Sequence, residues 1–124
     1  MKQMELPFPE VYWPQEPKQV TGTKHDGSKL RMELLDAHAL EGLAAVLTFG
    51  ANKYAAHNWR NGLVYSRVIG ALTRHLSALQ RGEDIDPESG LPHIDHLGCC
   101  WMFLSNFMKT RPDLDDRWKP EKRA

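Results

Sequence analysis

Apolar residues in the body of this chain recur at helical rather than alternating intervals. In a first segment Leu40, Leu43, Leu47, Ala51 and Tyr54 share one face of a 3.6-residue period. Asp36 stands where an N-cap belongs. Gly50 marks a close approach or a helix end, since glycine inside a helix costs ~1 kcal/mol against alanine. A second segment, from about Ser66 to Arg81, carries Val68, Leu72, Leu76 and Leu79 as its stripe and meets a stop at Gly82. The third opens at Pro92, a good first-turn residue, and runs to about Met108 with Leu97, Cys100, Leu104 and Phe107 as its stripe; Arg111-Pro112 ends it. No stretch alternates with period two long enough to argue a strand, and no internal repeat is visible. The expected fold class is all-α, a helical bundle.

The flanks differ in character. Residues 1–20 carry Pro7, Pro9, Pro14 and Pro17 interleaved with Phe8, Tyr12 and Trp13. Proline denies them a helix, so an extended N-terminal arm is expected, docked on its own core or on a neighbouring subunit. Residues 21–31 read as a polar, glycine-broken loop holding Lys24, Lys29 and Arg31. The domain is expected over 21–110, and 111–124 as a charged, frayed tail. A length of 124 residues suits one domain, and 41% apolar with 26% charged residues is globular composition. Sixteen Lys+Arg balance sixteen Asp+Glu, which speaks against a nucleic-acid partner that must be gripped by its backbone. The longest strongly apolar run, Leu97 to Leu104, falls far short of the ~18 residues of a membrane span. The start lacks the apolar core of a signal peptide. Adjacent Cys99 and Cys100 cannot readily bridge each other, so a reducing, cytoplasmic setting is expected and the pair reads as core filler.

Against this ordinary background the apolar stripes hold unusual polar groups. With each residue turning the helix by about 100°, His75 falls within about 20° of Val68, between Leu72 and Leu79. Glu83 continues on that side. On the third helix His93 and His96 share the face of Leu97, Cys100 and Leu104, whereas Asp95 points away. Burying such groups is costly unless they meet each other, a metal or a ligand. His93 and His96, three residues apart, can face one ion or one phosphate. The turn after Gly82 packs Glu83, Asp84, Asp86 and Glu88 together, oxygen ligands suited to Mg²⁺ or Mn²⁺. Between the first two helices lies Lys53-Tyr54-Ala-Ala-His57-Asn58-Trp59-Arg60. An indole beside Asn, Tyr, Arg and Lys can hold a nucleobase by stacking and edge hydrogen bonds, with cationic groups for phosphate. A half-buried Trp anchoring the loop is the plainer alternative. Arg74 points off the stripe, toward a neighbour.

These stretches together resemble one family. The matching segments are Gly22-Thr-Lys-His-Asp26-Gly-Ser-Lys29-Leu-Arg31, Leu47-Thr-Phe-Gly50-Ala-Asn-Lys53-Tyr54, Asn58-Trp59-Arg60-Asn-Gly62 and Arg74-His75-Leu76. The most specific is Gly82-Glu83-Asp84-Ile-Asp86-Pro-Glu-Ser-Gly90-Leu-Pro92-His93-Ile-Asp-His96. In this order they are similar to the phage-associated dATP/dGTP diphosphohydrolases, related to the MazG-like all-α pyrophosphohydrolases and including the MazZ proteins. The resemblance implies cleavage of a purine deoxynucleoside triphosphate, dGTP and/or dATP, to monophosphate and pyrophosphate with Mg²⁺ or Mn²⁺. It also implies a homodimer or homotetramer with sites completed between subunits. The broader family's acidic quartet, Glu-x-x-Glu and Glu-x-x-Asp, is replaced here by His93-x-x-His96 and His75-x-x-Ala78. The expected metal ligands are Glu83, Asp86, His93 and His96. Glu83, Asp86 and His75 are the expected catalytic groups, with Glu83 first as base ahead of Glu33 or Glu41. Lys53, Tyr54, Asn58, Trp59, Arg60, Arg74, Lys29 and Arg31 are expected to hold the nucleotide, Asn58 and Trp59 its base. A nucleotide-sequestering protein without turnover, or a helical interaction module, are the rival readings.

Overall fold

The structure is a computed structural model that describes residues 20–121; the expected arm lies outside the described residues except for Val20. The chain divides between Arg31 and Met32 into two units. In the described part of the first, a turn closes where the Lys29 amide donates to the Asp26 carbonyl at 2.9 Å. The second holds three α-helices, α1 (Ala37–Lys53), α2 (Tyr65–Gln80) and α3 (His93–Thr110). Short 3-10 turns occupy Met32–Leu34, Asn58–Asn61 and Pro112–Leu114. Among the described residues there is no strand, only an isolated antiparallel bridge between Ile85 and Pro92. The all-α class is what the periodicity predicts.

Local chemistry sets the helix ends. Asp36 caps α1, its Oδ2 accepting from the Ala39 amide at 2.8 Å. At the end of α2 the Gly82 amide reaches the Leu79 carbonyl (2.9 Å) and the Glu83 amide reaches Ala78 (3.0 Å), the bond pair of a Schellman cap. That cap needs a left-handed residue, and Gly82 supplies φ +84°. The cap also fixes where the chain leaves α2, and so where Glu83 begins the next loop.

Helix α3 is the central element, with α2 and α1 both packed on it. Tyr65, Val68, Cys100 and Phe107 form the core between α2 and α3, flanked by Trp59, Phe103 and Leu114. Tyr65 Oη lies 3.0 Å from the Phe107 carbonyl and 3.1 Å from that of Arg111, so one buried hydroxyl serves the last turn of α3. The α1 stripe needs correction: Val46 is the buried residue, whereas Leu40 stays exposed. α1 rolls so that Gly42 meets α3, where the Asp95 carboxyl would lie 2.5 Å from a β-carbon on Gly42. Asp95 thus points away from α2, as its angle predicts, but into α1 rather than into solvent.

Within the described residues the C-terminal segment is anchored at Asp116. Ser66 donates to Asp116 from its amide (to Oδ1, 2.8 Å) and its hydroxyl (to Oδ2, 2.5 Å). Val64, at the N-cap of α2, gives no side-chain bond. Asp116 therefore fills the capping role from 50 residues away. Those bonds hold its carboxyl below the ordinary carboxylate range. Along α3, Ile94, Leu97, Trp101, Leu104 and Met108 recur at alternating intervals of three and four, Leu104 packing against the core. Ile94, Trp101 and Met108 of this seam are 56%, 60% and 49% exposed.

Candidate active site

A groove of about 1210 Å³ opens between the facing turns of α1, α2 and α3 and the two loops that join them. Its polar end is built by the Gly82 cap, the loop 83–92 and the first turn of α3. The loop is tied down by bonds from the Asp86 amide to the Leu91 carbonyl (2.9 Å), from Gly90 to Asp86 (2.8 Å) and from His93 to Asp84 (2.8 Å). Three imidazoles meet here. His75 Nδ1 lies 2.8 Å from His93 Nδ1, and His93 Nε2 lies 2.8 Å from Glu83 Oε2. The rings of His75 and His96 stack nearly parallel, with centroids 4.7 Å apart. His96 Nε2 in turn sits 2.6 Å from Ser89 Oγ and 3.3 Å from Asp86 Oδ2.

Proton placement follows from these partners. A carboxylate only accepts, so the proton facing Glu83 belongs to His93 Nε2. A neutral His93 then accepts at Nδ1, which assigns a proton to His75 Nδ1 and leaves the lone pair of His75 on Nε2. His75 lines the groove, and among the described residues Nε2 has no hydrogen-bonding partner. Burial, followed by the neighbouring His96 and His93, lowers the His75 pKa below its ordinary 6.5. His75 is therefore neutral at neutral pH, the state a proton acceptor requires.

That shift has a thermodynamic consequence. As pH falls below 6.5 the unfolded chain protonates His75 before the folded chain does. The unfolded state then binds more protons, so stability is lost on acidification below 6.5, and His75 contributes no such slope above it. Melting temperature measured from pH 8 to pH 5 should fall more steeply in the native protein than in His75→Gln. Parallel curves would show that His75 is not the group responsible.

The other end of the groove is aromatic and cationic. Trp59, in the turn Asn58–Asn61, stacks on Phe103 of α3 with centroids 4.7 Å apart and planes 20° apart. The Arg60 guanidinium carbon lies 4.4 Å from the Trp59 ring centroid. Phe103 and Arg60 thus both pack on the indole, as in the loop-anchor arrangement that the sequence also allows. Arg60 Nε donates to His57 Nδ1 at 3.0 Å. His57 is left-handed (φ 63°), alone among the described non-glycine residues. Tyr54 and Asn58 are exposed on the groove wall. Lys53 pairs with Glu88, which raises its ammonium above the ordinary lysine range.

Most of the expected residues come together. Lys53, Tyr54, Asn58, Trp59, Arg60, Arg74, His75, Glu83, Asp86, His93 and His96 line this one groove. Arg74 lies on the groove wall as well, since α2 presents two adjacent positions to it. Lys29 and Arg31 belong to the other unit. Neither Glu33 nor Glu41 lines the groove. Among the described residues no three His, Cys, Asp or Glu are grouped as an ion-binding set. Glu83 is hydrogen-bonded to His93, and Asp86 lies with His96 and Ser89. Sequence reasoning missed Ser89, whose Oγ also accepts from the Leu91 amide at 3.1 Å, and Phe103, which carries Trp59. Ser89 lies within the specific Asp-Pro-Glu-Ser-Gly block, but nothing in its spacing points at His96. Cys99 is buried, with its thiol pushed up to about 12 by desolvation, and is unreactive filler as expected.

One groove of this helical domain thus gathers a histidine–carboxylate cluster and a cationic wall. The family model described as "dATP/dGTP diphosphohydrolase, N-terminal" matches residues 19–117, and the chain belongs to that family. It is also 38% identical over 98 residues to a "dATP/dGTP diphosphohydrolase" of Salmonella phage PMBT28. That match covers 79% of this chain and 33% of the relative, so the chain spans about a third of its length. No solved structure matches the chain.

Proposed function

We propose that this domain hydrolyses dGTP and/or dATP to the monophosphate and pyrophosphate. The observation that carries the reading is the chain of contacts from His75 through His93 to Glu83 at the wall of a groove lined with arginines. In this mechanism His75 Nε2 takes a proton from water as that water attacks the α-phosphorus. The bond from the α-phosphorus to the bridging oxygen breaks, and pyrophosphate leaves with the electron pair. His75 passes its Nδ1 proton to His93, and Glu83 stabilises the resulting imidazolium, so charge never resides on His75. Arg74 and Arg81, both on the groove wall, offset charge on the departing pyrophosphate. A requirement for Mg²⁺ or Mn²⁺ is part of the proposal. Glu83, Asp86 and Glu88 share the groove with a polyanionic substrate, so the nucleotide is expected to enter as its divalent salt.

Assembly and setting complete the reading. The exposed apolar seam of α3 supports a homodimer or homotetramer, because such a stripe is stable when a second helix covers it. Among the described residues no helix is long and apolar enough to cross a membrane. The proposed place of action is the cytoplasm of a host cell, where the deoxynucleotides are. The test is a panel of nucleoside triphosphates, with Mg²⁺, with Mn²⁺ and with chelator, resolving monophosphate from diphosphate products. Purine deoxynucleotides should give monophosphate and pyrophosphate. Tight binding without pyrophosphate release would establish sequestration instead. Light scattering at micromolar protein should report at least a dimer.

A further inference from the structure

We infer that the Arg60 guanidinium, rather than the Trp59 indole, is the surface on which the purine base stacks. This rests on the nucleotide reading above and deepens it. Three observations place Arg60 in that role. Phe103 of α3 stacks on the half-buried Trp59 and the Arg60 guanidinium carbon lies 4.4 Å from the same ring centroid, so the indole already carries two groups of its own chain and Arg60 is the exposed one of the three. Arg60 is held by a second contact, Nε to His57 Nδ1 at 3.0 Å. The His57 that accepts this bond has a left-handed backbone, a conformation that costs energy in a non-glycine residue. Finally, Arg60 is exposed on the groove, and among the described residues its terminal nitrogens have no hydrogen-bonding partner.

A guanidinium carried on an aromatic ring and tethered at Nε has lost most of its freedom before a ligand arrives. A planar cation so prepared meets a purine face to face, as arginine planes do with unstacked bases. Its remaining N–H groups can donate to purine acceptors or to sugar oxygen. Position agrees. Along α3, seven residues separate His96, at the polar end, from Phe103 under the stack, about 10 Å at 1.5 Å per residue. A nucleotide bridging the two stations would lay its phosphates by the histidines and its base on Arg60. The ordinary alternative for such an arginine, a phosphate clamp, would place it at the other end of the groove.

Arg60→Lys separates the two roles, because it keeps the positive charge and removes the plane. Calorimetric titration would compare the native protein and this variant, using an α,β-non-hydrolysable dGTP analogue and inorganic tripolyphosphate. The analogue should lose about 5- to 150-fold in affinity while tripolyphosphate is held as before. The preference for dGTP over dCTP should narrow as well, since the larger ring system gains more from a stacking plane. Equal losses for both ligands would make Arg60 a phosphate clamp and overturn the inference, as would an unchanged analogue affinity. Circular dichroism on the variant guards against a folding defect, which the exposed position argues against. If the native protein binds neither ligand and releases no pyrophosphate, the nucleotide reading itself fails; binding of the dGTP analogue with no loss in the variant fails only the stacking role.

Discussion

Replacing His75 by Gln is expected to lower purine deoxynucleotide turnover by about 10²- to 10⁴-fold, the range attributable to one general base. Glutamine preserves size and a hydrogen bond toward His93 but offers no basic nitrogen to water. The effect should fall on turnover rather than on nucleotide affinity, because in the proposed mechanism His75 meets the attacking water and not the base. Glu83→Gln tests the far end of the same chain. Its amide oxygen still accepts from His93 Nε2, so geometry survives, yet the negative charge that stabilises the imidazolium is gone. Residues that act as one unit give losses that do not multiply. The double variant should therefore be about as slow as the slower single variant. Losses that multiply would mean that His75 and Glu83 act independently, and native turnover in either single variant would remove that residue from the mechanism. Measuring kcat and KM separately for the three variants decides between these outcomes.

Phe107→Ala should be the most damaging single change to stability, at about 3–5 kcal/mol. The Phe107 ring is 1% exposed, among the most buried side chains described; it shares a core cluster with Tyr65, Val68 and Cys100 and lies tilted against Trp59 with centroids 5.7 Å apart. Its loss opens a cavity where α2, α3 and the loop 54–64 converge, a site with little room to collapse. A domain of this size typically loses roughly 4–8 °C of melting temperature per kcal/mol, so a fall of about 12 °C or more is expected. Tyr65→Phe should cost far less, about 1 kcal/mol, because it keeps the ring and removes only the hydroxyl shared by two carbonyls. Urea denaturation of both variants provides the comparison. A loss below about 1 kcal/mol for Phe107→Ala would show that the core lies elsewhere.

The two effects meet at Trp59. It rests on Phe103 and against Phe107, so the turn that presents Arg60 to the groove depends on the core that Phe107 completes. Damage to the core should therefore reach nucleotide binding before it unfolds the chain.

What the amino-acid sequence determined is everything that one helix settles by itself. The 3.6-residue period located three helices, Asp36 and Gly82 marked two of their ends, and the same period turned His75, His93 and His96 inward. These are short-range matters: backbone hydrogen bonding and side-chain angle depend on residues within a turn or two. Tertiary structure alone decided which inward groups pair. His75 and His93 are 18 positions apart, and only the packing of α2 on α3 brings their Nδ1 atoms to 2.8 Å. The sequence left Trp59 either open to a base or anchoring its loop, because the ring that stacks on it, Phe103, comes from α3, far away in the chain. Leu40 and Val46 lie on different sides of α1, and the approach of Asp95 to Gly42 chose which side is buried. Ser66 and Asp116 lie 50 residues apart, so the cap on α2 has no local signature. A helical period fixes a side chain's angle about its own axis, but the rotation of one helix against the next is set by the shapes that interlock between them.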